Sequence, residues 1–279
     1  MRTLDVSTLV DEIANMCIEM NYYVDDRLLT ALKTAKQEET SELGQTILGQ
    51  IIENDEIATR KRVPMCQDTG IVVVYVDLGE ELHVVGNLEE AINEGIRQGY
   101  ENGYLRKSVV RHPLDRVNTK DNTPAVIHYT RVAGDQLKLT IAAKGAGSEN
   151  QSQLRMLKPS EGYAGVKQMV LDTVLKAGGN PCPPIIVGIG IGGSFEKCAL
   201  IAKEALMRPL DDVSKDPISA QLEGELLAEI NELNVGPMGF GGKTTALAVK
   251  VNTYPCHIAS LPVAVNIQCH ASRHLTKVF

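Results

Sequence analysis

The sequence predicts an α/β protein, a mixed α/β domain behind a helical N-terminal segment. Three observations carry that expectation. Apolar residues recur at helical spacing through the first sixty positions. Short aliphatic runs of strand character begin at Ile71, and further helical patterns alternate with them toward the C-terminus.

Val6, Leu9, Val10, Ile13, Cys17 and Met20 share one face of a first helix, with polar residues opposite. Leu28, Leu29, Leu32 and Ala35 mark a second, and residues 43–57, with Ile47, Ile51 and Ile52, a third. After Pro64 the period changes. Ile71-Val72-Val73-Val74-Tyr75-Val76 is continuously apolar, as in a strand covered on both faces. Residues 88–104 return to helix, and 125–129 and 137–141 read as strands. Ser160 is placed to cap a helix that carries Val166, Val170 and Val174 and stops at Gly178-Gly179. A strand at 185–189 and a helix at 195–206 follow. Asp216-Pro217 then supplies a cap and an N1 proline for a helix through Leu222, Leu226 and Ile230. Strands are expected at 247–251 and 258–265. With no repeat or linker, residues 1–279 read as one catalytic domain, 1–60 its helical segment and 61–279 its α/β part.

Composition narrows the function. Of 279 residues, 43% are hydrophobic and 23% charged, enough for a core and unlike a disordered chain. Aromatic residues are only 4%, so that core is aliphatic. A formal charge of −7 argues against nucleic-acid binding. The lack of a long apolar run or a signal-like N-terminus points to a cytoplasmic protein that uses no membrane. Cysteines in that compartment stay reduced.

Several motifs compete for attention. Gly188-Ile189-Gly190-Ile191-Gly192-Gly193 matches the dinucleotide pattern, with Asp211 at ribose-binding distance, which keeps open an NAD-dependent oxidoreductase. The simpler reading is a tight turn with close backbone approach. Gly242-Lys243-Thr244 suggests a P-loop, but Pro237 stands where the motif needs glycine. A turn near an anion remains. Lys144-Gly145-Ala146-Gly147-Ser148-Glu149-Asn150 follows a strand and could cradle a carboxylate or phosphate with its amides.

The six cysteines divide by context. Cys17 and Cys198 lie on apolar helix faces, where a thiol acts as a small hydrophobe. Cys66, Cys182 and Cys269 sit in polar or proline-rich turns, 116 and 87 residues apart, and can converge only through the fold.

At these residues the chain resembles the iron–sulfur (class I) fumarate hydratases, specifically the α subunit of the two-subunit type. The same family holds the L-tartrate dehydratase α subunit. The similar segments are Cys66-Gln67-Asp68-Thr69-Gly70 and residues 144–150, 180–184, 241–247 and 256–274. The resemblance implies a [4Fe–4S] cluster on Cys66, Cys182 and Cys269. Three thiolates leave one iron open as a Lewis acid. It further implies Asp68 as the catalytic carboxylate, with Gln67, Arg106, Gly147 and His257 as further substrate contacts. The expected activity is reversible hydration of fumarate to L-malate in the tricarboxylic acid cycle, with tartrate or mesaconate as alternative substrates. Single-chain relatives carry a further C-terminal half. A separate β subunit is therefore expected to complete the active site, in an α2β2 heteromer acting on a small dicarboxylate.

Overall fold

The computed structural model describes residues 2–279. In chain order the elements are β1 (Arg2–Asp5), α1 (Val10–Tyr22), α2 (Asp26–Glu38), α3 (Glu42–Lys61), β2 (Ile71–Gly79), β3 (Leu82–Val85) and α4 (Leu88–Asn102). They continue with β4 (Val126–Val132), β5 (Leu137–Lys144), α5 (Ala146–Glu149), β6 (Gln153–Leu157), α6 (Gly162–Ala177), β7 (Ile185–Gly192) and α7 (Phe195–Ala205). The last are α8 (Pro217–Glu232), β8 (Ala246–Tyr254), β9 (Leu261–Gln268) and β10 (His274–Val278). The fold is mixed α/β, as the sequence predicts. The chain forms two compact units, one of residues 1–24, 54–146 and 273–279, the other of 25–53 and 147–272.

In the first unit a four-stranded sheet runs β10-β5-β2-β4, and β1 pairs with β3 beside it. β2 is central, which is why its run from Val72 to Val76 is apolar without alternation. Val72, Val74 and Val76 join Leu137, Leu139 and Ile141 of β5 in one core with α1 and α4. The two helices approach closely because Gly95 and Gly99 face α1. A Cβ at Gly95 would lie 2.7 Å from the Ile13 side chain, and one at Gly99 2.7 Å from the Ala14 carbonyl oxygen. The helical period of Ile13, Cys17 and Met20 is thus matched by two glycines on its partner.

The second unit holds the sheet β6-β9-β7-β8. One face, with Ile185, Val187, Ile189, Val263, Val265 and Ile267, packs on Val166, Val170 and Val174 of α6 and on Leu222, Leu226 and Ile230 of α8. The other face receives α7, where Cys198 and Ala202 meet Ala264. Asp216 caps α8 as expected, its Oδ2 accepting the Ser219 N–H at 2.8 Å. Ser160 does not cap α6. Pro159 starts a 3₁₀ turn over Pro159–Glu161, and the helix begins only after it. The last expected strand also starts late, because Ile258 is 92% exposed in the loop before β9.

Candidate active site

In the first unit the Cys66–Gly70 loop enters β2, held by hydrogen bonds at both of its ends. The Met65 N–H donates to the Asn21 carbonyl oxygen at 3.0 Å, and its own carbonyl accepts from Asn54 Nδ2 at 2.8 Å. Tyr100 Oη donates to the Thr69 carbonyl oxygen at 2.5 Å, and Asn122 Nδ2 to that of Gly70 at 3.1 Å. Burial drives the Tyr100 phenol well above its ordinary range, so it remains a donor. Gly70 has φ +74°, and a Cβ there would lie 2.7 Å from the backbone of Lys144. The loop is rigid by construction. It presents a half-buried Cys66, an exposed Gln67 and a half-buried Asp68.

Asp68 uses both carboxylate oxygens. Oδ1 accepts the Gly70 N–H at 3.0 Å and Oδ2 the Ala146 N–H at 2.8 Å. Of the loop after β5, the Ala146 amide meets a carboxylate, and that carboxylate belongs to the chain itself. Each oxygen keeps a further lone pair for a proton or a donor. Arg106 reaches the same loop through its backbone. Its carbonyl accepts from Thr69 Oγ1 at 3.1 Å, and Asn122 Oδ1 accepts the Ser108 N–H at 2.7 Å. The Arg106 side chain is exposed and makes no ion pair among the described residues.

In the second unit Cys182 and Cys269 share one end of the sheet. Cys269 follows Gln268, the last residue of β9, and Gln268 pairs with Ile186 near the start of β7. Cys182 stands just before β7, and both thiols are half-buried. Cys182 has φ +56° between two prolines, and its N–H donates to the Gly179 carbonyl oxygen at 3.1 Å. A side chain on Gly147 would come 3.5 Å from the Asn180 carbonyl oxygen, so Gly147 belongs to this end as well. His257 does not. It is exposed in the loop between β8 and β9, at the opposite end, with Nδ1 accepting the Ala259 N–H at 3.1 Å. Seven or eight residues of strand separate the two ends, on the order of 25 Å. A groove of about 500 Å³, lined by Tyr163, Val166, Ile191, Ile218 and Leu261, also opens away from the thiols.

The other cysteines are placed differently. Cys17 is fully buried, and burial pushes its thiol up to about 12. Cys198 is buried against β9, and Cys256 is exposed. Among the described residues no three His, Cys, Asp or Glu side chains gather around a single metal position. Cysteines that hold a cluster each bind a different iron, so they need not converge on one point.

The two nucleotide-like motifs have other roles. Gly188 and Gly190 lie inside β7 rather than in a loop, where a Cβ would come 2.2 Å from the Ala202 and 2.0 Å from the Cys198 carbonyl oxygen. They let α7 lie on the sheet, and Asp211 pairs with Arg27 at 3.2 Å. The dinucleotide reading loses its loop. The Gly242-Lys243-Thr244 turn does bind an anion, the buried carboxylate of Glu39. Sequence reasoning missed Glu39, Asn21, Tyr100, Asn122 and Arg273. Polar residues on apolar helix faces were the available signal for Asn21 and Tyr100; the other three carry none.

The fumarate hydratase (Fumerase) family model matches residues 10–278. A Methanocaldococcus jannaschii protein, provisionally named L(+)-tartrate dehydratase subunit alpha, is 42% identical over 274 residues, covering 96% of either chain. The L(+)-tartrate dehydratase subunit alpha of Escherichia coli is 30% identical, over 97% of this chain and 90% of its own. The Shigella sonnei protein of that name is 29% identical with the same coverage. With its loops, turns and nearly its whole length matched, the chain belongs to the fumarate hydratase family of hydro-lyases.

Proposed function

We propose that the chain is the α subunit of a cytoplasmic hydro-lyase that interconverts fumarate and L-malate on a [4Fe–4S] cluster held by Cys66, Cys182 and Cys269. The observation that carries this reading is the contrast among the cysteines. The three in turns are half-buried and fixed by the backbone around them, whereas Cys17 and Cys198 are core residues. Cys182 and Cys269, reduced and half-buried at one end of the same sheet, fit two of the three members of such a ligand set. When bound, such a cluster supplies an iron without a protein ligand, a Lewis acid for the substrate hydroxyl and carboxylate.

The chain's own residues have separate tasks. Arg106 offers a planar fork, without an internal partner, to a substrate carboxylate. Gln67, exposed between Cys66 and Asp68, donates a hydrogen bond to substrate. Gly147, with no side chain, leaves its end of the sheet open to substrate. Asp68 takes the proton from the carbon beside the carboxylate, while two backbone N–H groups fix its oxygens. His257 stands at the opposite end of its sheet, so its contact with a substrate at Cys182 and Cys269 calls for the His257 of a second copy, in keeping with an α2β2 assembly.

A second reading, L-tartrate as substrate, is favoured by the names of the relatives. It differs by one hydroxyl on the substrate. The test is to load the cluster anaerobically and assay fumarate, malate and L-tartrate with and without the β subunit. The expected result is fumarate turnover only in the complex. Turnover of tartrate alone selects the second reading, and full activity without the partner refutes the shared site.

A further inference from the structure

We propose that Arg273 is a positioning residue that sets the Asp68 carboxylate for its work as proton acceptor; this rests on the reading of Asp68 given above. Arg273 stands four residues after Cys269, immediately before β10, and is only 3% exposed. Its backbone is fixed to β5, because its carbonyl accepts the Ala143 N–H at 3.0 Å. Its side chain turns to the catalytic loop. Nη1 donates to the Asp68 carbonyl oxygen at 2.6 Å and to Asn21 Oδ1 at 3.2 Å.

Asn21 is itself immobilised. It is fully buried near the end of α1, and its Nδ2 is committed to the Cys17 carbonyl oxygen at 2.8 Å, so Oδ1 can face only the guanidinium. The Asn21 carbonyl in turn accepts the Met65 N–H. One arginine therefore ties α1, the start of β10 and the Cys66–Gly70 loop at the residue whose carboxylate does the chemistry. Gly145 shows how tightly the parts fit. A Cβ on it would lie 3.3 Å from Asp68 Oδ2 and 3.4 Å from Arg273 Nη2.

A lysine could not serve equally. Its ammonium is a single donor centre on a flexible stem, whereas the guanidinium presents its donors in a fixed plane. Displacement of a catalytic group by about 1 Å costs about 100-fold in rate, and that is the expected scale here.

The experiment combines amide hydrogen exchange in the full chain with kinetics of the loaded αβ complex, for Arg273→Gln, Arg273→Lys and Asp68→Asn. In Arg273→Gln the Gly70 and Ala146 amides, which bind the Asp68 carboxylate, should exchange at least about 10-fold faster, with α6 amides unchanged. Its kcat should fall about 100-fold with KM within about twofold. Arg273→Lys should recover part of both, and it carries the test if Arg273→Gln does not fold. Unchanged exchange at Gly70 and Ala146, or faster exchange throughout the chain, overturns the proposal. An unimpaired Arg273→Gln enzyme beside a dead Asp68→Asn enzyme overturns it alone. An active Asp68→Asn enzyme overturns the reading of Asp68 and this proposal with it.

Discussion

The carboxylate of Glu39 accepts the backbone N–H of Lys243 through both oxygens, at 3.0 and 2.9 Å. The same carboxylate accepts from Thr40, Ser41 and Thr244. Burial alone would raise this carboxyl, but the backbone donors outweigh it and hold it below its ordinary value. A depressed folded-state value means that the stabilisation is present above the ordinary carboxylate range and is lost as pH falls through the folded value. Glu39→Gln should therefore cost about 1–3 kcal/mol at pH 7 and flatten the acid side of the stability profile. Urea melts of both proteins from pH 3 to 7 are the measurement. Parallel profiles would refute it.

Serine at Cys66, Cys182 or Cys269 should abolish cluster binding, while serine at Cys17, Cys198 or Cys256 should leave it intact. Cys17→Ser should still lower thermal stability, because it puts a hydroxyl where the thiol is fully buried. Iron and sulfide content after anaerobic reconstitution reads the outcome. Full iron in a Cys182→Ser protein would sink the ligand assignment.

Air should inactivate the loaded complex, and ferrous iron with a thiol reductant should restore it. Three cysteines leave one iron without a thiolate, and that iron is the one most readily lost. Activity undiminished after prolonged exposure to air counts against the proposed ligand set.

Asp55 is only 1% exposed, and one of its carboxyl oxygens has no hydrogen bond among the described residues. Burial pushes its carboxyl up to about 6, against a small opposing effect of Asn54. Because the folded-state value is raised, its contribution is favourable at low pH and is lost as pH rises through 6. Asp55→Asn should stabilise the protein by roughly 1–3 kcal/mol at pH 7.5 and by almost nothing at pH 4. Melting temperatures at the two pH values test this. A larger gain at pH 4 would contradict it.

Local pattern in the sequence determined most of the fold. Helical period announced α1, α2, α3, α4, α6, α7 and α8, and the aliphatic run from Ile71 announced the central strand β2. Turn chemistry separated Cys66, Cys182 and Cys269 from the helix-face cysteines. β6 and β10 escaped notice because both are edge strands, half exposed and too polar to stand out. β1 and β3, four residues each, are too short for a period.

What only the tertiary structure decided is who answers each polar group. Nothing local tells that the carboxylate meeting Lys243 is Glu39, 204 residues earlier, or that Arg273 closes on Asp68, 205 residues away. Both glycine turns that looked ready for a ligand's anion hold carboxylates of the chain itself. Gly188 and Gly190, which matched a phosphate loop in sequence, are glycines because α7 lies across them. The sheet register separates His257 from Cys269, twelve residues later, by the length of β9. Periodicity and turn propensity act over a few residues and are written in the chain's own order. Hydrogen-bond partners and register depend on which segments the packed core brings together.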